Sequence, residues 1–98
     1  MLEQIAYWYT ICMSTIYIDV REPFEYQSDH VKGAINIPLG TLQQKIPSQL
    51  EHIAKDATIV VYCRTGNRSG LAVPYMQHYG FINVTNGINK ATIESARV

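Results

Sequence analysis

Apolar and polar positions divide the chain into short strand-like and helix-like segments. Runs rich in β-branched and aromatic residues at 15–20, 34–37 and 58–62 are typical of buried strands. Residues 42–54 instead carry apolar side chains at helical spacing, and Pro47 is expected to kink that helix or split it. Strands and helices therefore follow one another through the first two thirds of the chain.

The last third of the chain carries a helix and a strand. The helix has Leu71, Met76 and Tyr79 on one face and is expected to end at the following glycine, which suits a C-terminal cap. A strand is predicted at 81–85, followed by an Asn-Gly turn at 86–87. This alternation predicts the α/β class, with a central, mostly parallel sheet and helices on both faces.

Composition and charge indicate a globular domain with no predicted nucleic-acid or membrane partner. The 98 residues are 47% hydrophobic and 16% charged, as expected for one globular domain over residues 1–98. Eight basic and eight acidic residues balance, so neither a nucleic acid nor a membrane is predicted as a partner.

The N-terminal segment at 1–14 is short and unusual. Its apolar run at 5–13 is too short to span a bilayer, and no basic residues precede it as they would in a signal peptide. We expect a buried first element here, and we expect a cytoplasmic location because no signal-peptide pattern is visible.

The cysteines and histidines do not form a metal-binding pattern. Two cysteines are too few for a disulfide scaffold, and the three histidines are scattered singly, so no metal is predicted. Cys12 lies in an apolar run and is expected to be a buried, unpaired side chain. A disulfide bond between Cys12 and Cys63 would block the Cys63 thiol, which is the best candidate nucleophile in the sequence.

Cys63 ends the most strand-like run and is followed by a short loop and a predicted helix. The loop residues are small, polar or basic, and Gly66 permits a backbone conformation that turns N–H groups inward as a nest for an anion. Arg64 and Arg68 add positive charge, which together with the helix N-terminus favours a thiolate over a thiol. Ligands bind at the carboxyl ends of parallel strands, where Cys63 is placed. The alternative is a buried, inert cysteine at the end of a strand.

Three segments resemble the rhodanese family, the thiosulfate sulfurtransferases. YCRTGNRSG at 62–70 is similar to the family's active-site loop, while IDVREPFEY at 18–26 and HVKGAINIP at 30–38 are similar to two further motifs, in the same order. The resemblance covers residues 16–87 and implies a rhodanese-like single domain; some small bacterial members are periplasmic. One departure is that the family has a Gly-Gly pair and a Trp after its last strand, where this chain has Asn86 and Gly87 and lacks the Trp.

The resemblance implies a two-step covalent transfer without a metal or organic cofactor. Cys63 would attack the outer sulfur of thiosulfate, release sulfite and carry a persulfide, which cyanide or a cellular thiol would accept. Arg64 is expected to steer the small anionic donor, and Arg68 to brace the loop. The implied substrate-binding residues are those of the loop: Arg64, Thr65, Gly66, Asn67, Arg68 and Ser69.

Residues outside the loop are implied to have framework roles. Asp19 and Arg21, near the site, are expected to hold loops by ion pairing and hydrogen bonding. His30 is expected to make a structural hydrogen bond.

Two other functions remain open for this sequence. A small phosphatase or arsenate reductase of the same fold would need a longer loop and an arginine where Ser69 stands; here the closing arginine comes five positions after Cys63. A non-catalytic interaction or regulatory module is the other, although such modules often lack the cysteine.

Overall fold

A four-stranded sheet with helices on both faces forms the centre of the part of the chain that the structure describes. The computed structural model describes residues 15–97. Every strand pairs in parallel with its neighbours, in the order β2-β1-β3-β4, which confirms the predicted α/β class. The strands are β1 (Ile16–Asp19), β2 (Ile35–Asn36), β3 (Ile59–Cys63) and β4 (Val84–Asn89).

Within residues 15–97, four α-helices connect and follow the strands. Pro47 splits the helix predicted at 42–54 into a short α-helix and one 3₁₀ turn at Ser48–Leu50, because proline cannot donate the backbone hydrogen bond that a continuous helix needs. The helices are α1 (Pro23–Ser28), α2 (Leu39–Gln44), α3 (Asn67–His78) and α4 (Lys90–Ala96).

Alternate residues of β3 face opposite layers of the core. Ile59, Val61 and Cys63 belong to the larger apolar cluster, whereas Tyr62 belongs to the smaller one with Val60 packed against it. Ile59 and Val61 are completely buried, and each contributes about 1.5–3 kcal/mol to the free energy of unfolding. The helices supply Leu42, Ala72 and Met76 to the first cluster and Tyr26 and Ile93 to the second.

The last strand differs from the prediction. It runs over Val84–Asn89, so the predicted strand at 81–85 begins too early and the predicted Asn-Gly turn lies inside the strand. Phe81 is buried in the core before β4 begins. The register with β3 shifts between Val61 and Tyr62. Parallel pairing of β4 with β3 therefore overrides the local turn preference of the Asn-Gly pair. A β-bulge in β4 accommodates the extra residue.

The helix after the loop also differs from the prediction. It begins at Asn67, so the last three of the predicted loop residues form its first turn, and its buried residues are Ser69, Ala72 and Met76. Leu71, which is predicted to share a face with Met76, is 57% exposed, whereas Met76 is completely buried. Ala72 and Met76 are four residues apart and share one face, whereas Leu71 and Met76 are five apart and do not.

The expectations for residues 1–14, including a buried first element and an unpaired Cys12, fall outside the described residues. Within residues 15–97, no helix combines the length and the apolar character needed to cross a membrane.

Candidate active site around Cys63

The sheet order places Cys63 where a parallel sheet binds ligands. From β1 the chain moves to β2 on one side and then to β3 on the other. The connections therefore diverge between β1 and β3, which is the position where ligands bind beyond the carboxyl ends of the strands. Asp19 ends β1 and Cys63 ends β3.

The Cys63 sulfur lies at the floor of the loop, surrounded by donors. The N–H of Gly66 donates to Sγ at 3.1 Å and the N–H of Ser69 at 3.5 Å, while the Ser69 hydroxyl oxygen is 3.4 Å away. Gly66 has a φ of 91°, a left-handed conformation that L side chains rarely adopt. This glycine turns the loop so that its N–H groups face the sulfur.

These donors change the ionisation of the thiol. Burial raises the pKa of Cys63, but hydrogen bonds from the Ser69 side chain and from backbone groups of Ser69, Thr65 and Gly66 outweigh burial and lower the pKa to about 7. A substantial fraction of the thiol is therefore ionised near neutral pH.

The predicted loop residues separate into exposed and buried groups. Arg64, Thr65 and Asn67 are exposed, whereas Ser69 is completely buried. The Arg64 side chain makes no ion pair or hydrogen bond with any residue between 15 and 97. It is thus available to an anionic ligand.

Arg68 is held by helix α1. Its Nη1 and Nη2 donate to the two carboxylate oxygens of Glu25 at 2.7 and 3.1 Å. This side-chain pairing lowers the pKa of Glu25 to about 2. Arg68 braces the loop against α1, as expected, while its predicted contact with substrate stays a prediction.

Asp19, which is buried, and Arg21, which is partly exposed, form an ion pair beside the site. The guanidinium donates to the Asp19 carboxylate through Nε at 2.9 Å and Nη2 at 2.7 Å, and the Arg21 backbone N–H adds a bond at 2.9 Å. Hydrogen bonding to Asp19 raises the pKa of Arg21. Asn36 donates to the backbone oxygens of both residues at 3.0 Å, so the pair supports the backbone at the end of β1.

An open groove of about 340 Å³ lies between α1 and the loop. Its rim carries the 72% exposed side chain of Phe24. A larger groove of about 430 Å³ follows α2 and shares no residue with the loop. Within residues 15–97, no group of three or more His, Cys, Asp or Glu side chains could hold a metal ion. The small groove is lined by Arg21, Phe24, Glu25, Ser28, Asp29 and Arg64.

His30 makes the expected structural hydrogen bond. Its Nδ1 donates to the Tyr26 carbonyl oxygen at 2.8 Å, and its ring stacks on the Tyr26 ring with centroids 3.7 Å apart.

Asn86 is a site residue that the sequence analysis did not assign. Its Oδ1 accepts a hydrogen bond from the Ser69 hydroxyl at 2.6 Å, and its Nδ2 donates to the Gly66 carbonyl oxygen at 3.0 Å. The sequence gives one indication of this role: Asn86 occupies the position where the resemblance to the family predicts the first glycine of a Gly-Gly pair.

Comparison with known proteins identifies the family. A family model described as the rhodanese-like domain matches residues 11–91. The chain belongs to the rhodanese family. This confirms the resemblance carried by the loop and by the two segments before it.

Named relatives of this rhodanese domain differ in activity and length. Thiosulfate sulfurtransferase PspE of Escherichia coli (strain K12) is 41% identical over 70 residues, which are 71% of this chain and 65% of PspE. The tRNA uridine(34) hydroxylase of Pectobacterium carotovorum is 36% identical over 85 residues, which are 85% of this chain and 24% of the hydroxylase. The rhodanese domain thus spans about a quarter of the hydroxylase and just under two thirds of PspE.

A solved structure shows the same rhodanese fold. The structure described as a rhodanese with anions from E. coli superposes with a TM-score of 0.69 at 37% sequence identity, covering 81% of this chain and 91% of that chain. The human single-domain sulfurtransferase TSTD1 superposes with a TM-score of 0.67 at 21% identity, covering 96% and 92%, which is a likeness of fold.

Proposed function

We propose that the protein is a sulfurtransferase that carries a sulfane sulfur as a persulfide on Cys63. One observation carries the proposal: the Cys63 sulfur sits among the N–H groups of Gly66 and Ser69, with its pKa lowered to about 7. The thiolate is the nucleophilic form of cysteine, and donors already in place stabilise it without reorganisation. The relationship to PspE, whose name states thiosulfate sulfurtransferase activity, supports the same reaction.

The transfer requires no oxidant or reductant. In the first step the Cys63 thiolate attacks the outer sulfur of thiosulfate, the S–S bond of the donor breaks, and sulfite leaves with the electron pair. In the second step cyanide or a thiolate attacks the terminal sulfur of the persulfide, and the Cys63 thiolate is the leaving group. Each step replaces one anion by another, and the enzyme returns to its starting state.

The charge around the groove favours a small anionic donor. Arg21, Glu25 and Asp29 line the groove but are already paired with Asp19, Arg68 and Lys90 respectively. Arg64 is the lining cation that makes no ion pair within residues 15–97, next to Cys63 in sequence. It therefore supplies the uncompensated positive charge that attracts thiosulfate.

The loop contacts favour sulfur transfer over phosphatase chemistry. A phosphatase loop would surround a tetrahedral oxyanion and use an arginine at the position of Ser69. Ser69 is completely buried and contacts the sulfur directly, while Arg68 is bound to Glu25. For the sulfurtransferase we also propose that no nucleic acid is a partner, since the formal net charge is zero.

Hydroxylation of tRNA uridine is the second candidate, because relatives of that name match 85 residues of this chain. Those relatives extend far beyond the matched region, which covers 24% of the Pectobacterium hydroxylase. Sulfur transfer needs only the groups around Cys63, which is why we place it first.

The proposal is tested by intact mass spectrometry after exposure to thiosulfate. We expect the mass to rise by one sulfur atom, with release of sulfite, and to fall again when cyanide is added with formation of thiocyanate. Cys12→Ser should behave like the unchanged protein, and Cys63→Ser should gain no sulfur. A protein that gains no sulfur from thiosulfate or other sulfane donors would contradict the proposal, and hydroxylated uridine in a tRNA incubation would favour the second candidate.

A further inference from the structure

The orientation of the Asn86 amide is determined by its neighbours. The N–H of Ile88 donates to Oδ1 at 2.9 Å, and Nδ2 donates to the Gly66 carbonyl oxygen at 3.0 Å. Exchanging the two amide atoms would place a donor against a donor and an acceptor against an acceptor. Oδ1 therefore faces Ser69, and it can only accept a hydrogen bond from that residue.

The Ser69 hydroxyl has a single proton and two neighbours that can accept it. Oδ1 of Asn86 lies 2.6 Å from the hydroxyl oxygen and the Cys63 sulfur lies 3.4 Å from it. While the cysteine is a thiol, its S–H can donate to the serine oxygen, and the serine proton goes to Asn86. Once the cysteine is a thiolate, the sulfur is an acceptor and needs that same serine proton.

We propose that Asn86 is a positioning residue that controls how readily Cys63 ionises, by competing with the sulfur for the Ser69 hydroxyl proton. It acts through Ser69 and does not itself contact the sulfur.

The change between the two states is small. On ionisation the thiol proton goes to solvent, and the Ser69 hydroxyl rotates from Asn86 to the sulfur. The N–H groups of Gly66 and Ser69 stay in place, and Asn86 keeps the N–H of Ile88 as a donor to Oδ1. The cost of ionisation thus includes the loss of the serine–asparagine hydrogen bond.

The charged groups near Cys63 are the same in both states of the Ser69 hydroxyl, so they do not decide this competition. Arg64 and Arg68 belong to the loop and to α3, Glu25 to α1, and the Asp19–Arg21 pair to the end of β1. Glu25 and Arg68 are paired with one another, as are Asp19 and Arg21, and Asn86 takes part in neither pair. The neighbouring residues of β4 toward its end, Gly87, Ile88 and Asn89, are uncharged.

The test measures the ionisation of Cys63 from the ultraviolet absorbance of the thiolate as a function of pH, in a Cys12→Ser background with Cys63→Ser as the blank. Asn86→Ala removes the competing acceptor, so the midpoint should fall by about half to one pH unit, the equivalent of one hydrogen bond. Asn86→Asp keeps an acceptor of similar shape and adds negative charge, so the midpoint should rise. Asn83→Ala, an exposed asparagine whose amide donates to Thr58 at 3.1 Å, should leave it unchanged.

A double-mutant cycle separates this competition from general loosening of the loop. In a Ser69→Ala background the proton in question is absent, so Asn86→Ala should produce no further shift. If Asn86→Ala and Asn86→Asp shift the midpoint in the same direction, or if the Asn86→Ala shift persists without the Ser69 hydroxyl, the proposal is wrong. Circular dichroism checks that each variant is folded. Although this inference concerns the cysteine of the proposed transfer, the measurement uses no sulfur donor, so its outcome is independent of whether the protein is a sulfurtransferase.

Discussion

Tyr62, the residue directly before Cys63, donates a hydrogen bond from its hydroxyl to Oδ2 of Asp19 at 3.0 Å. The same hydroxyl oxygen accepts the backbone N–H of Val31 at 2.9 Å. Burial is the main reason that the pKa of Tyr62 is raised to about 12. Because adjacent residues of a strand face opposite sides, the framework ion pair and the reactive thiol are supported from two faces of one strand.

Tyr62→Phe is expected to lower the free energy of unfolding by about 1–3 kcal/mol, because the buried N–H of Val31 loses its partner and Asp19 loses a donor. Urea denaturation measures this change. Tyr75→Phe is the matched control, since no hydrogen bond joins its hydroxyl to the described part of the chain, and it should change stability little. Equal effects of the two substitutions would contradict the role given to Tyr62.

Gly87→Ala is expected to destabilise the fold by about 1–3 kcal/mol through overpacking. An added Cβ would lie 2.5 Å from Cγ1 of Val60 and 3.0 Å from Cδ1 of Ile93. Gly40→Ala is the control, because its Cβ would meet nothing within 4 Å and the position is in α2. Alanine is the better helix former, so Gly40→Ala should stabilise by about 0.5–1 kcal/mol. Thermal unfolding measures the stability of both variants. If Gly87→Ala leaves the stability unchanged, the close contact with Val60 is contradicted.

Stability should fall at acid pH because of the Glu25–Arg68 pair. In the folded protein the pKa of Glu25 is lowered to about 2. The ion pair therefore contributes fully to the free energy of unfolding above the unfolded pKa near 4.5, and this contribution is lost as pH falls from there through about 2. Arg68 is 34% exposed, and screening by water reduces the contribution to about 1 kcal/mol.

Urea denaturation at pH 7 and at pH 3 measures that contribution when Glu25→Gln is compared with the unchanged protein. The substitution should destabilise more at pH 7 than at pH 3. A difference between the two proteins that does not depend on pH would count against the ionic role.

Reaction of Cys63 with a neutral alkylating reagent should follow ionisation of the thiol. Hydrogen bonds to the sulfur lower its pKa to about 7, so in a Cys12→Ser background the rate should rise through a midpoint near pH 7 and level off above it. Cys63→Ser should abolish the reaction. A midpoint near 8.5, the ordinary value for a cysteine, would show that the loop does not stabilise the thiolate.

Arg64→Ala should raise KM for thiosulfate by about tenfold with a smaller effect on kcat, because an exposed charge contributes mainly to binding of the anion. Arg97→Ala is the control, since Arg97 is also exposed but lies over the ring of Tyr17, at 4.5 Å from its centroid, outside the groove. Steady-state kinetics with cyanide as acceptor distinguish the two. If both substitutions raise KM equally, the effect belongs to overall charge and Arg64 has no local role.

Local features were readable from the sequence alone. Strands β1 and β3 follow from runs of β-branched and aromatic residues, and the loop from a cysteine followed by glycine and arginines. Each of these depends on consecutive residues, so its physical cause lies within a few positions of the chain. The α/β class and the family follow from the order of those segments.

Contacts between distant segments were decided by the tertiary structure. Glu25 and Arg68 are 43 residues apart, as are Asp19 and Tyr62, and no periodicity links such pairs. The boundaries of β4 depended on its partner strand, which outweighed the local turn preference of Asn-Gly. For the same reason the sequence indicated a reactive cysteine, whereas only the packing of β4 against the loop placed Asn86 within reach of the Ser69 proton.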